Sequence, residues 1–278
     1  MTTVTARAPR VAMRTRHLFG FDFIDDVGLD ATVERLLGPQ AGEHGEPVVF
    51  TPNVDTLVRL GELEPYGIVG RLRHARYVLP DGQPVVWMSR LLRRPLRSRL
   101  AGSDLVPPLW RRIIADGRRA MIVAPSEEVA NAFRAELPSV AVYVPPTFDH
   151  TDPHALAGVV RATSRVVDDN RPEFVFVGIS FPKQQRLAFA LIDHLRQQGW
   201  GDLPVFLLIG GALDMYAGRT RRAPVWMRRV GAEWFFRFLQ EPSRLGRRYF
   251  VEDVRFLPIA GQELRRAIAG GLRRPRTR

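Results

Sequence analysis

The 278-residue chain contains no cysteine and only one lysine, Lys183. Without thiols there is no disulfide scaffold, no zinc-cysteine site and no thiol nucleophile, which fits a reducing cytoplasm. No apolar run reaches the ~18 residues of a membrane span. Arg7, Arg10, Arg14 and Arg16 precede a short apolar stretch, but Asp22, Asp25 and Asp26 interrupt it, so no secretory signal is expected. Residues 1–16 read as a flexible basic tail. Neither G-x-G-x-x-G nor G-x-x-x-x-G-K-[ST] occurs, leaving a standard dinucleotide or Walker-type site without support. There is no Asp-x-Asp carboxylate pair and no G-x-S-x-G elbow. The six histidines lack metal-ligand spacing except His150 and His154, which straddle Pro153 at a helix start. No metal or other cofactor is expected.

What is present is a lopsided charge. The net charge is +12. Residues 219–278 hold 16 arginines against 5 acidic residues, whereas residues 1–218 hold 25 basic and 24 acidic side chains. Arginine forks match phosphate oxygens bidentately, which a lysine point charge cannot do. Aromatics interleave with this charge. Trp226, Val230, Trp234 and Phe238 recur every four residues, and Arg229, Glu233, Arg237 and Gln240 follow helical spacing on another face. Such a helix could pack on the body, lie on an anionic membrane, or take part in both. A nucleic-acid arm would carry fewer exposed aromatics.

Strands and helices alternate along the rest. Helices are expected over 29–37 (capped by Asp30), from Asn53 or Asp55 to about 62, over 84–92, from Ser103 or Asp104 to about 116, after Ser126, over 153–168 and from about 182. Strands are expected at 48–51, 77–79, 120–123, 140–144, 174–178 and 205–209. Phe174–Gly178 and Val205–Ile209 are nearly continuous apolar runs, the pattern of strands buried on both faces. The alternation predicts an α/β fold with a largely parallel sheet covered on both sides. In such sheets, ligands sit beyond the carboxyl ends of the strands.

Several predicted strand ends carry polar groups or glycine. Thr51 and Asn53 can cap a helix or bind a hydroxylated ligand. Asp81, between proline and glycine, suits a turn or a general base. Gly210-Gly211 suits a tight turn or a close approach of phosphate or sugar to the backbone.

Taken in order, these segments resemble the WecG/TagA/CpsF family of bacterial glycosyltransferases. The matching motifs are Thr51-Pro-Asn53, Leu79-Pro-Asp-Gly82, Arg99-Leu-Ala-Gly-Ser-Asp-Leu105, Gly178-Ile-Ser-Phe-Pro-Lys-Gln184 and Gly210-Gly-Ala-Leu-Asp214. The longest is Ala217-Gly-Arg-Thr-Arg-Arg-Ala-Pro-Val-Trp226, followed by Glu233-Trp234 and by Arg237 through Tyr249. The similarity spans about residues 48–252. It implies a Rossmann-like body over 17–218, a basic helical appendage over 219–260 that docks on the membrane, and a disordered tail over 261–278. It also implies an inverting, metal-independent transferase that moves a sugar from a UDP-sugar, N-acetylmannosamine-like or other, to a polyprenyl-diphosphate-linked saccharide. The pathway would be exopolysaccharide or cell-wall polymer synthesis.

The resemblance assigns Asp81 as the base, Thr51, Asn53, Arg99, Gln184, Gly210 and Gly211 as substrate-binding positions, and Arg237, Arg244 and Arg247 as the arginines that stabilise the departing diphosphate. Arg221, Arg222, Arg228, Arg229, Trp226 and Trp234 would meet the membrane. The expected partners are the donor, the acceptor and an anionic membrane surface at the inner face of the cell membrane. A homo-oligomer is left open, and nucleic acid is not expected. The chain departs from the family at Gln185, which replaces a glutamate, at Ala124-Pro125-Ser126, which replaces a Gly-Gly turn, and at Val144–Asp149, where a Gly-Tyr-Phe-like segment is usual. The competing expectation is a non-catalytic scaffold recruited to lipid or nucleic acid.

Overall fold

The computed structural model describes residues 14–25, 28–39, 45–221, 223–224, 226–227, 233–240 and 255–272. A hairpin opens the fold: β1 (Thr15–Leu18) pairs antiparallel with β2 (Phe21–Ile24). Its two turn residues, Phe19 and Gly20, both have positive φ, 54° and 78°. That is the conformation whose twist matches a two-residue hairpin.

Six strands then build one parallel sheet: β3 (Glu46–Phe50), β4 (Ala75–Val78), β5 (Ala120–Val123), β6 (Ala141–Tyr143), β7 (Phe174–Val177) and β8 (Val205–Leu208). Their order across the sheet is β4-β3-β8-β7-β5-β6. Alternate side chains project to opposite faces, so each strand feeds two cores. Val48, Phe50, Met121, Val123, Val175, Val177, Phe206 and Leu208 enter one core. Val49, Ala120, Ile122, Phe174, Phe176, Val205 and Leu207 enter the other.

The first core is covered by α2 (Val54–Arg59), α3 (Ile68–Arg73), α7 (Pro153–Asn170) and α8 (Lys183–Gln197). The second is covered by α1 (Leu29–Leu37), α5 (Gly102–Ala115), α6 (Glu127–Glu136) and α9 (Ala212–Tyr216). Between β4 and α5 lies α4 (Gln83–Leu91). Two C-terminal helices follow, α10 (Glu233–Gln240) and α11 (Phe256–Leu272). The result is the parallel sheet covered on both faces that the alternation predicts, and the Rossmann-like α/β body that the resemblance implies.

Local expectations are corrected in four places. Asp30 does not cap α1: Gly28 occupies that position, and Thr32 Oγ1 donates to its carbonyl at 2.8 Å. Neither Ser103 nor Asp104 starts α5, which begins at Gly102. A Cβ there would lie 3.2 Å from Ile209 Cγ2, so glycine lets the helix start close against the β8–α9 turn. Thr15 and Arg16, assigned to the tail, belong to β1. Residues 261–272, expected to be disordered, continue α11, because Phe256 and Ala260 are buried in the first core and Ile259 and Leu264 pack against it.

Candidate active site

The strands end together. Backbone pairing places Val78 opposite Phe50, Phe50 opposite Leu208, Leu208 opposite Val177, Val177 opposite Val123, and Val123 opposite Tyr143. Six consecutive chain exits therefore leave the sheet in one row. Beyond that row lies a largely polar cavity of about 420 Å³, within the range of small-molecule sites, about 300–1,000 Å³. Thr51, Asn53, Asp81, Gln184, Gly210 and Gly211 all line it.

Each is held by a specific local feature. Thr51 is buried, and its Oγ1 donates to the Leu208 carbonyl at 3.2 Å, bridging β3 to β8. Asn53 caps α2: its Oδ1 accepts from Thr56 N at 3.0 Å and from Thr56 Oγ1 at 3.1 Å. Capping uses the oxygen only and leaves the Nδ2 donor unspent. The half-buried Asp81 is drawn toward β3 by its backbone N–H, which donates to the Pro52 carbonyl at 3.3 Å. Gly82 follows with φ +96°, a conformation that L side chains avoid, and it redirects the chain into α4.

Gln184 is 8% exposed, and its Oε1 accepts the Gly210 N–H at 3.0 Å. It thereby holds the turn after β8, where Gly210 has φ +46°. Gly211 precedes the first residue of α9 and is exposed. Gly178 has no room for a side chain, since a Cβ there would sit 2.5 Å from Leu213 Cδ1.

Arg99 is placed differently from the expectation of a pocket arginine. It is absent from the cavity wall and instead joins two carboxylates. Its Nη1 donates to Glu233 Oε2 at 2.7 Å and its Nη2 to Asp104 Oδ2 at 2.8 Å. Burial disfavours its charge, but the hydrogen bond to Glu233 and the charges of Glu233, Asp81 and Asp104 outweigh that, and its pKa is raised. Arg99, in the loop between α4 and α5, thus ties α10 to the first turn of α5, and the next residue, Leu100, donates its N–H to the Pro80 carbonyl at 2.9 Å beside Asp81. At the other end of α10, Gln240 lines the cavity and its Nε2 donates to the Arg221 carbonyl at 3.0 Å.

The sequence reading missed several wall residues. Lys183 lines the cavity, with Nζ 5.0 Å from the Phe148 ring centroid; its place beside Gln184 at the start of α8 was the available signal. Asp55, Asp214 and Thr220 also line the cavity. Gln185, the departure from the family glutamate, lines it while only 1% exposed, and its buried Oε1 has no hydrogen-bond partner. The other departures reach the wall as Pro125, Pro145, Pro146 and Thr147. Among the described residues no group of three or more His, Asp or Glu side chains could hold a metal ion.

Of the C-terminal positions, Arg237 and Trp234 lie in α10, with side chains outside the described set. Arg244, Arg247, Arg222, Arg228 and Arg229 lie outside the described residues. Arg221 is exposed, and Trp226 is 65% exposed. Among the described residues no helix is long and apolar enough to cross a membrane.

Comparison with known proteins agrees with this arrangement. A curated N-acetylglucosaminyldiphosphoundecaprenol N-acetyl-beta-D-mannosaminyltransferase of Bacillus spizizenii is 27% identical over 84% of this chain and 86% of its own length. Proteins of the same name from Bacillus subtilis and Staphylococcus aureus are 28% and 27% identical. These two alignments cover 62% and 63% of this chain and just under two thirds of each relative, 64% and 66%. Residues 16–269, which include all the strand exits of the parallel sheet, α10 and most of α11, match the Glycosyl transferase WecG/TagA/CpsF family, and the chain belongs to that family.

Proposed function

We propose that this glycosyltransferase moves a sugar, N-acetylmannosamine or a relative, from its UDP derivative to a polyprenyl-diphosphate-linked saccharide. It does so at the inner face of the cell membrane, in synthesis of a cell-wall polymer or exopolysaccharide. The observation that carries this reading is the position of Asp81. Asp81 lines a cavity at adjacent strand exits, together with Thr51, Asn53, Lys183 and Gln184, in a chain with relatives named N-acetylglucosaminyldiphosphoundecaprenol N-acetyl-beta-D-mannosaminyltransferase.

The mechanism is a single displacement. The acceptor hydroxyl oxygen bonds to the anomeric carbon while the bond from that carbon to the β-phosphate oxygen breaks. The hydroxyl proton passes to Asp81, UDP leaves with the electron pair, and the anomeric configuration inverts. Thr51, Asn53 and Gln184 position the sugars, and the bare backbone at Gly210 and Gly211 admits the diphosphate. Arg237, Arg244 and Arg247 stabilise its developing charge without a metal ion, as preorganised cations do at developing anions.

The test is transfer from a panel of UDP-sugars to a short-chain prenyl-diphosphate sugar, with EDTA present. Asp81→Asn is expected to lower turnover by about 10²–10⁴-fold, the usual worth of a general base, with donor affinity kept. NMR of the product is expected to show inversion. A variant as active as wild type would remove Asp81 from the chemistry. Activity lost in EDTA and restored by magnesium would overturn the metal-free mechanism.

A further inference from the structure

We propose that the outer face of α4 is a second membrane-contact surface, on the catalytic body itself, for an anionic lipid bilayer. The inference rests on the transferase reading only for its purpose; its observations are independent. Val85, Val86 and Ser89 form the buried face of α4. On the opposite face, one turn apart, Trp87 is 47% exposed and Leu91 is 60% exposed. The outer face of a surface helix is normally polar, so an unpaired Trp and Leu there invert the pattern.

The charge beside them has one sign. No acidic residue occurs between Asp81 and Asp104. Arg90, Arg93, Arg94 and Arg97 are all exposed; the Arg97 backbone N–H donates to Asp25 Oδ1 at 2.8 Å, but among the described residues none of the four guanidinium groups forms an ion pair with a carboxylate. Arg94 Nη1 donates to the His17 carbonyl at 2.9 Å, which anchors the loop to the hairpin and leaves its charge uncompensated. An aromatic and a leucine that insert at the headgroup boundary, rimmed by guanidinium groups for lipid phosphates, complement an anionic bilayer. A folded protein partner would need carboxylates opposite all four arginines and a socket for Trp87.

The surface also has a counterpart. On α10, Phe235 is 42% exposed and Leu239 is 59% exposed, again one turn apart. α4 leaves the cavity directly after Asp81 and Gly82, and α10 is tied to the same region through Glu233–Arg99 and through Gln240. Two helices that expose apolar side chains one turn apart therefore both adjoin the cavity wall, α4 through Asp81 and α10 through Gln240. Both would rest on the bilayer, with the mouth held against the surface from which a prenyl-linked diphosphate projects.

The experiment is flotation of the full chain with vesicles of equimolar phosphatidylglycerol and phosphatidylcholine, and with phosphatidylcholine alone. Trp87→Glu/Leu91→Glu is expected to lower partitioning onto the anionic vesicles by about tenfold or more. Arg90→Gln/Arg93→Gln is expected to lower it by about fivefold per arginine, with the loss erased in high salt. Turnover of the short-chain acceptor in solution is expected to stay at the wild-type level, while turnover of a long-chain acceptor embedded in vesicles falls with binding. Unchanged partitioning of both variants, with normal folding by circular dichroism, overturns the proposal. So does a dimer that Trp87→Glu/Leu91→Glu dissociates without altering vesicle binding, which would make the face a self-association surface. Vesicle binding is read without turnover, so a protein inactive with every donor but sensitive to these substitutions would refute the transferase reading and leave this inference standing.

Discussion

At the residue scale the site depends on side chains that hold the backbone as much as on those that face a ligand. Gly178 is the sharpest case, because Leu213 occupies the space a methyl group would need, at 2.5 Å. Overpacking of this kind costs about 1–3 kcal/mol. Gly178→Ala is expected to lose that much in urea unfolding, and Leu213→Ala in the same chain is expected to recover part of it. Asn53 shows how a sequence-level ambiguity resolves. Capping and ligand binding were both open, and the structure shows the cap while placing the same residue on the cavity wall. Asp81 likewise sits in the turn before α4 and on the cavity wall at once. Arg99 was legible as important but not as a tether, because its partner Glu233 lies 134 positions away and no local pattern announces such a pair. The roles assigned to Arg244 and Arg247 stay with the proposed function, since neither lies among the described residues.

Elements were readable wherever they carried a long or strongly apolar pattern. β5, β7, β8, α1 and α7 stand close to where alternation and periodicity put them. The β1–β2 hairpin escaped because each strand is only four residues long and mixes charge with apolar side chains. α11 escaped because Gly261, Arg265 and Arg266 masked the buried positions Phe256, Ala260 and Glu263.

The least local element is α10, and its attachment is testable. Arg99 and Glu233 are 15% and 13% exposed as side chains, so their pair is shielded from solvent and from salt. Glu233→Gln is expected to speed limited proteolysis at or near α10 several-fold. The melting temperature, set mainly by the two sheet cores, is expected to move little. Equal protection of α10 in wild type and variant would show that the helix is held by other contacts.

For the whole molecule, the carboxyl edge of the sheet builds the site and the amino edge carries an acid-sensitive lock. Glu46, at the start of β3, accepts from Arg71 of α3 at 2.6 Å and from Arg196 of α8 at 2.8 Å. Arg71 also donates to Asp193 at 2.7 Å. Burial alone would raise the Glu46 pKa, but the hydrogen bonds and charges of the two arginines prevail and hold it below its ordinary 4.5. A carboxylate depressed in the folded state contributes its stabilisation fully above its unfolded pKa and loses it as pH falls through the folded value. Glu46→Gln is therefore expected to lose about 1–3 kcal/mol near neutral pH, the worth of charge-assisted hydrogen bonds. The gap between the two proteins should close below pH 4.5, as urea titrations across the acid range would show. Parallel curves would mean that the lock does not titrate.

The scarcity of lysine has a practical side. The ε-amine of Lys183 is the only side-chain amine in the chain, and it stands on the cavity wall above the Phe148 ring. Amine-directed acylation thus has a single side-chain address on this molecule. A small reporter coupled there would sit on the wall of the candidate site, and a change in its emission on adding a UDP-sugar would give an optical reading of occupancy without the need to engineer a labelling site.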